Sequence, residues 1–354
     1  MGMFKTAGLG CVATALLLAG VSASGQEGGA APARVMALMP AASPYIDAHL
    51  HVDQNRPAES MQLLLQAMGH LNQARGFVLT EPYGPDNPDR WDVDKILAAV
   101  KQHPGKLIAL GGGGTLNGMV IASYRSGDSG PDTQRKFRDQ AEKLLQDGIA
   151  GFGEMSTEHF SLPQSPVKDY EYAPADHPLM LLLADIAAEH NVPIDLHMEA
   201  VPEDMASPEN LKAPNPPRLH GNFAALERLL AHNPRARIIW AHAGQDNTGY
   251  RSPELMRPLL TRHPNLYMEI KYDPTALGKN PPIGADGKLK PEWLKLYQDF
   301  PDRFLIGSDQ HYDPPSAAPL ARAQANAKLL DQLPPELRRK IALDNPLRIY
   351  GLKQ

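Results

Sequence analysis

Cysteine is nearly absent from this chain of 354 residues, because Cys11 is the only one and lies in an apolar run near the N-terminus. If processing removes that run, the remaining chain has no thiol, which excludes disulfides, thiol catalysis and thiolate metal ligands. Dense basic clusters are missing too: the net charge is −5, and the most basic runs, QRKFRDQ and ELRRK, have acidic residues in or beside them. We therefore expect no nucleic-acid partner.

Long hydrophobic runs are also missing. The apolar run at residues 8–21 follows Lys5, is too short to span a membrane, and ends in the small residues Val21-Ser22-Ala23. This pattern predicts a signal peptide over residues 1–25 and a periplasmic or secreted protein without a stable membrane span; a retained anchor helix is the alternative. Residues 26–44, rich in Ala, Gly and Pro, are predicted to form a linker or an N-terminal arm, and residues 45–354 a single domain.

Short apolar segments typical of buried strands alternate with amphipathic helical patterns such as AESMQLLLQAMGHL and HPLMLLLADIAAEH. The alternation repeats eight times, which predicts an α/β fold, the parallel (β/α)8 TIM barrel. The predicted strands are 45–50, 76–80, 106–110, 148–153, 193–197, 236–242, 265–271 and 303–308.

Six polar residues occur where these predicted strands end. Imidazole and carboxylate groups are the ligands of zinc, manganese and iron, and the active sites of such barrels lie at the carboxyl ends of the strands. The ordered series therefore predicts a divalent metal site at the barrel mouth, with one or two ions, zinc being favoured over manganese or iron. Its members are His49, His51, Glu154, His197, His242 and Asp309.

The chain has 13 histidines, so their positions have to be weighed. Four of them occur at helix ends just before the next strand, where a structural role near the terminal carbonyls is expected: His103, His190, His232 and His263. His159, His220 and His311 fall in loops of the opposite face, where a role beside the metal or at the substrate and a plain loop role are both open. Lys271, near the end of strand 7, either binds an anionic substrate group or pairs with Glu269.

From Tyr45 to the closing DNPLRIYGL, the chain resembles the amidohydrolase superfamily of metal-dependent barrel hydrolases, in particular its "amidohydrolase-related" branch. That branch contains aminocarboxymuconate semialdehyde decarboxylases and pyrone dicarboxylate lactonases. The resemblance implies that His49, His51 and Asp309 bind one metal and that His197 is a ligand. It implies that His242 is either a ligand or a group that polarises the substrate.

Glu154 departs from the decarboxylase pattern, because Gly153-Glu154 is similar to the Gly-Glu of TatD-type deoxyribonucleases, whose glutamate bridges two metals. Other members of the superfamily carry a carboxylated lysine there, and this chain has no lysine at that strand end. Glu154 either bridges two ions or orients a ligand histidine. A nuclease activity does not follow, because the chain lacks a basic track.

The chemistry that fits these residues is hydrolysis by a metal-activated water, with Asp309 as the base and His242 or the metal polarising the scissile group. The predicted substrate is a small ester, lactone, amide or phosphoester. A one-metal decarboxylase of the aminocarboxymuconate semialdehyde type is the first alternative, and a non-catalytic barrel that binds a metal or ligand is the second. A homo-oligomer is compatible with the sequence.

Overall fold

Eight strands, numbered β1–β8 along the chain, form the framework in the computed structural model, which describes residues 31–162, 169–275 and 278–353. Two of them are interrupted: β3 breaks at Leu110, and β8 breaks at residues 307–309. The strands are β1 (Tyr45–Val52), β2 (Gln73–Val78), β3 (Leu107–Ala109 and Gly111–Gly112), β4 (Phe152–His159), β5 (Pro193–Met198), β6 (Arg237–Ala243), β7 (Leu266–Ile270) and β8 (Phe304–Ile306 and Gln310–Tyr312).

Neighbouring strands pair in parallel in chain order, from β1 to β8. The first piece of β3 pairs with β2 and its second piece with β4, so the interruption does not break the order. In the same way, the first piece of β8 pairs with β7 and the second with β1. The pairing thus returns to its starting strand, and this α/β arrangement is consistent with a TIM barrel.

Helices connect the strands, and their ends follow local sequence signals. Proline occupies the first turn of α2, α5, α6, α8 and α9, where its missing N–H has no partner to lose. Left-handed Asn72, Gly127 and Gly148 end α2, α4 and α5. The helices are α1 (Ala33–Met36), α2 (Pro57–Leu71), α3 (Leu97–Gln102), α4 (Leu116–Ser126), α5 (Pro131–Asp147), α6 (Pro178–Glu189), α7 (Phe223–His232), α8 (Pro253–Arg262), α9 (Pro291–Asp299), α10 (Ala321–Leu330), α11 (Pro335–Arg339) and α12 (Asn345–Ile349).

The apolar core has two main parts. The larger part lies between the outward faces of the strands and the helices, and includes Ile194, Leu196 and Trp240. A smaller cluster joins strand residues such as Phe77 and Ile239 to Ile349 and Tyr350 at the C-terminus. The polar side chains in the barrel interior are therefore supported by closely packed apolar residues.

All eight predicted strand segments overlap strands of the structure, but the predicted bounds of strand 4 are wrong. Gly148 adopts a left-handed φ of 107° to end α5, so β4 begins only at Phe152 and continues to His159. Glu154 consequently lies near the start of its strand and is followed by five more strand residues. The interior of the barrel at this strand is longer than the sequence suggested.

Residues 31–44 pack against the barrel domain. Val35 in α1 is fully buried in the large core cluster. The side-chain amide of Gln324 bonds both to the N–H and to the carbonyl of Met39, and the Arg34 guanidinium donates to the carbonyls of Asp313 and Ala318. The predicted signal peptide, 1–25, lies outside the described residues. Among the helices of the described ranges, none is long and apolar enough to cross a membrane.

Candidate metal centre

His49 and His51 project from the same strand, β1, with their Nε2 atoms 3.1 Å apart. Both are buried. The Nδ1 atom of His51 lies 3.1 Å from the carbonyl oxygen of Leu79, which places the ring proton on Nδ1. The Nδ1 atom of His49 lies 2.9 Å from a carboxyl oxygen of Glu269, which places its proton there too. When neither ring carries a second proton, the two Nε2 lone pairs point at each other, an arrangement that a shared cation stabilises.

Asp309 completes this group from the gap in β8. Its Oδ1 atom is 3.0 Å from His51 Nε2, while its Oδ2 atom accepts from Arg322 at 2.9 Å and from the Lys271 ammonium. Burial raises the pKa of the Asp309 carboxyl, but the two cations outweigh that effect and hold the pKa well below its usual range. The carboxylate is therefore ionised and is fixed with one oxygen toward the histidines.

Glu154 lies between the two sides of the site. Its Oε2 atom is 3.5 Å from His49 Nε2, and its Oε1 atom contacts His197 Nδ1 at 2.8 Å and His242 Nε2 at 3.1 Å. Burial raises the pKa of this carboxyl, and contacts with His49, His197 and His242 overcome that effect, so the pKa falls well below its ordinary value. The Oε2 atom of Glu154 also lies 3.7 Å from His51 Nε2, so one glutamate contacts all four predicted ligand histidines.

His197 contacts a carboxylate at each ring nitrogen, Glu154 at Nδ1 and Glu199 at Nε2, the latter at 3.5 Å. Burial by itself lowers the pKa of His197, but the two carboxylates outweigh burial and raise the pKa to about 9. The metal-free imidazole is therefore protonated at neutral pH. A metal ion at His197 has to displace that proton.

His242 reaches the site through an unusual backbone conformation. Ile238 and Trp240 on β6 pack toward the helices, so regular alternation would turn His242 the same way. Its left-handed φ of 68° turns the side chain into the barrel mouth instead. Arg251 donates to the carbonyl oxygen of His242 at 2.8 Å and to that of Ala241 at 3.0 Å, which holds this bend. Burial and then Lys271 lower the pKa of His242 well below its usual value, so the ring is neutral.

The residues therefore fit a divalent ion. The ligand atoms of His49, His51 and Asp309 lie within 4.8 Å of one another, and so do those of His49, Glu154 and His242. His49 belongs to both groups, and its Nε2 atom faces His51 in the first and Glu154 in the second. His197 joins the second group only through its contact with Glu154. Imidazoles that release their extra proton to a metal, together with ionised carboxylates, form a donor set that suits zinc, manganese or iron.

The three predicted substrate-binding residues have different positions. Lys271 and His159 line the small cavity over the ligands, but His220 does not. Its side chain is 68% exposed on a surface turn, where it contacts Asp204 at 3.2 Å. Of the two roles left open for Lys271, the pairing with Glu269 does not occur: the Lys271 ammonium contacts Asp309 at the mouth, whereas Glu269 lies against His49 below it.

Three acidic residues of the site were not singled out from the sequence, although a signal for two of them exists. Asp195 lies two residues before His197 on β5, and Glu199 lies two residues after it, just beyond the last strand residue, so the alternation along the strand predicts one face for all three. Glu81, which lines the cavity, follows β2 in a loop, and nothing in its local pattern marks it. Arg322 on α10 also reaches Asp309 from a helix that the sequence pattern left unassigned.

The four histidines predicted at helix ends do lie there. Three of them contact an acid of the preceding helix rather than the terminal carbonyls: His190 contacts Glu142, His232 contacts Asp185, and His263 contacts Glu227. The fourth, His103, follows the last residue of α3. All four are remote from the metal centre.

Two cavities meet near the centre. The small one, about 60 Å³, is lined by the predicted ligands except His49 and by His159, Glu199 and Arg322. A larger cleft of about 630 Å³ lies beside it, bounded by the loops after β1, β2 and β8 and by Arg34. Glu81, His311 and Arg322 line both. His311 also stacks on His51, with ring centroids 4.5 Å apart, so it stands between the cleft and the ligands.

The Amidohydrolase family profile matches residues 46–352, and the chain belongs to this family of enzymes. A probable 2-pyrone-4,6-dicarboxylic acid hydrolase from Acinetobacter baumannii, solved with citric acid bound, has 14% identity and a TM-score of 0.51, covering 87% of this chain and 99% of its own. A 2,6-dihydroxybenzoate decarboxylase from Rhizobium has 13% identity and a TM-score of 0.48, with 87% and 99% covered.

A 5-carboxyvanillate decarboxylase from Sphingomonas paucimobilis has 11% identity and a TM-score of 0.46, with 88% of this chain and 99% of its own covered. At these identities the likeness concerns the fold alone. No curated protein sequence matches the chain. Members of the amidohydrolase family usually bind divalent metals, and the histidine and carboxylate groups at the barrel mouth are able to hold one.

Proposed function

We propose that the protein is a metal-dependent hydrolase that acts on a small ester, lactone, amide or phosphoester. The observation that carries this proposal is the close approach of the His49 and His51 Nε2 atoms, 3.1 Å apart, next to the ionised carboxylate of Asp309. Such a group provides three ligands for one divalent ion and leaves room for further ligands.

A divalent ion at this position, zinc in our proposal with manganese or iron as alternatives, supplies a Lewis acid and acidifies a water molecule. Asp309 accepts the water proton, since Lys271 and Arg322 keep its carboxylate ionised and oriented. The neutral ring of His242 serves either as a further ligand or as a donor to the substrate oxygen. His159, buried beside His197 and with its pKa lowered to about 4 by burial, contributes a neutral ring to the substrate cavity.

The substrate enters through the large cleft. Its volume of about 630 Å³ suits a small molecule, and the cleft joins the metal side of the site at Glu81, His311 and Arg322. Lys271 binds an anionic group of the substrate only if that group displaces its contact with Asp309. We do not include His220 in the proposed site, because it is exposed on a surface turn.

Decarboxylation is the second candidate, and one observation favours it. Glu154 Oε1 is engaged by both His197 and His242, as expected for a residue that orients ligands beside a single ion. With two ions, that oxygen would instead bind the second ion while Oε2 binds the first. A panel of small esters, lactones, amides, phosphoesters and aromatic carboxylates separates the candidates, because only decarboxylation releases carbon dioxide.

Asp309→Asn tests the role of the base. We expect turnover on the best substrate to fall by about two to four orders of magnitude, because an amide cannot accept a proton at neutral pH, while part of the metal remains bound through the amide oxygen. Steady-state kinetics and elemental analysis on the same sample measure both. Asp139→Asn, on the exposed face of α5, is the control. Turnover within a few-fold of the parent would remove Asp309 from this role.

We also propose that the protein is exported. The support is the apolar run at residues 8–21 after Lys5, which ends in small residues. Mass spectrometry of the protein from the periplasm or medium should find an N-terminus near Ser24 or Gln26. Recovery of soluble protein from the cytoplasm with Met1 intact would contradict export.

A further inference from the structure

A buried carboxyl pair lies beneath the metal ligands. Glu269 on β7 and Asp195 on β5 are both fully buried, and they approach the Nδ1 side of His49, the side opposite the proposed metal. His49 Nδ1 is 2.9 Å from Glu269 Oε2 and 3.5 Å from Asp195 Oδ2. Neither contact meets the geometry of a hydrogen bond, so the Nδ1 atom faces both carboxyls without being bonded to one of them alone.

In the described part of the chain, no other donor forms a hydrogen bond or an ion pair with these two carboxyl groups. Both oxygens of Glu269 and both oxygens of Asp195 lack a hydrogen-bond partner, and no lysine or arginine contacts either residue. Burying an unpaired carboxyl group destabilises a fold. Packing alone therefore does not account for Glu269, whereas its approach to His49 does.

Two glycines make room for the pair. A Cβ atom at Gly307, in the gap of β8, would lie 1.9 Å from the carboxyl carbon of Glu269. A Cβ atom at Gly153, at the start of β4, would lie 2.7 Å from the Cβ of Asp195. Neither glycine has a left-handed φ, so close approach, and not backbone conformation, is what glycine provides at both positions. The neighbouring strands are thus shaped around these two carboxyls.

We infer that Glu269, assisted by Asp195, is a positioning residue of the metal centre: it fixes the ring orientation of His49 and keeps the proton on Nδ1, so that Nε2 presents its lone pair to the ion. Carboxylates behind ligand histidines act in this way in metalloproteins generally. The inference rests on the proposed metal site. It assigns Glu269 no contact with substrate.

The test measures metal affinity and the stability of the metal-free protein together. Glu269→Met replaces the carboxyl with an unbranched apolar chain of similar length. We expect zinc affinity, measured by competition with a chromophoric chelator, to fall about tenfold to a hundredfold. The Tm of the metal-free variant should equal or exceed that of the metal-free parent, because an uncompensated buried carboxyl is removed. Glu269→Gln, whose amide oxygen can still accept the Nδ1 proton, should stay within about threefold of the parent affinity.

Gly307→Ala gives an independent check, because it displaces the Glu269 carboxyl without altering its chemistry. It should weaken zinc binding as Glu269→Met does. Gly69→Ala on α2, where a Cβ meets nothing within 4 Å, is the matched control and should leave zinc binding unchanged.

Parent-like affinity in Glu269→Met would overturn the inference while leaving the metal site intact. So would a fall in the metal-free Tm alongside the fall in affinity, since that is the signature of a structural role. A parent protein that binds no zinc, manganese or iron would refute the proposed function itself, and the inference with it.

Discussion

At the residue scale, we expect Glu154 to decide whether the site holds one ion or two. If its two oxygens bridge two ions, His49, His51 and Asp309 hold the first ion, and His197 with His242 holds the second. We expect about two ions per chain in the saturated protein, and Glu154→Gln should lose mainly the second, because an amide bridges poorly. Elemental analysis after metal loading and gel filtration gives the stoichiometry.

One ion per chain under metal-replete conditions, unchanged in Glu154→Gln, would reject bridging and favour the decarboxylase alternative. The protonated state of His197 makes this experiment dependent on pH. Its pKa is raised to about 9 because Glu154 and Glu199 outweigh burial, so the second ion competes with a proton throughout the neutral range. Loading should therefore be carried out above pH 9, where most His197 rings have lost that proton.

Single residues also show where sequence reasoning stops. The period of two along a strand brings His49 and His51 to one face, and the same rule applied to His197 would have added Asp195 and Glu199. No such rule predicts His242, since its side chain reaches the mouth only through a left-handed backbone. That left-handed conformation costs about 1–2 kcal/mol in a residue with a Cβ. Arg251 stabilises it by donating to the carbonyl oxygen of His242, and no local sequence pattern marks Arg251 for this role.

At the scale of elements, the short strand Glu171–Tyr172 pairs antiparallel with the end of β4. Its buried residue Glu171 should make the free energy of unfolding depend on pH. Burial raises the pKa of Glu171 from its ordinary 4.5 to about 8, partly opposed by the backbone N–H of Gly84. Because the folded-state pKa exceeds the unfolded one, the folded protein binds the extra proton, and Glu171 reduces stability increasingly as pH rises from about 4.5 to about 8.

Glu171→Gln should remove that penalty. We expect the variant to match the parent near pH 4.5 and to be more stable by on the order of 2 kcal/mol near pH 8.5, since each unit of pKa shift corresponds to about 1.4 kcal/mol before relaxation of the site. Denaturant unfolding at both pH values measures the difference. Glu209→Gln, at an exposed position, is the control. A difference that is independent of pH would contradict the assignment.

The helices were predictable where proline begins them and glycine or asparagine ends them, as in α2 and α5. These signals are local, because they depend on one missing N–H or one left-handed residue. The bounds of β4 could not be predicted in this way. The strand begins at Phe152 because that residue pairs with Gly111 on one side and Ile194 on the other. Strand limits depend on partners that are distant in sequence.

At the scale of the whole molecule, order along the chain was enough to predict the parallel strands and the face that bears the ligands. The order of strands follows from the alternation alone, whereas Glu154 lies near the start of β4 and not at its end. The division of β3 and β8 into pieces that pair with different neighbours did not follow, because closing the ring of strands imposes it.

Metal removal should lower thermal stability without unfolding the barrel at room temperature. An ion present at about a hundred times its Kd stabilises the folded state by about 2.7 kcal/mol, whereas the apolar core lies apart from the ligands. Chelation should therefore reduce the Tm and leave the far-ultraviolet circular dichroism at 25 °C unchanged. His51→Ala, lacking a ligand, should show no response to the chelator. A parent Tm that stays constant while elemental analysis shows the metal gone would contradict this expectation.

The two ends of the described chain have different neighbourhoods. Arg34 lines the cleft and bonds to the loop after β8, whereas the carbonyl of Lys353 accepts from Arg75 near the start of β2, at the other end of the strands. A surface coupling or fused reporter attached at the C-terminus would therefore be held on the side away from the cleft. Immobilisation through that terminus should leave substrate access open, so it is the better end for a sensor or a packed-bed catalyst.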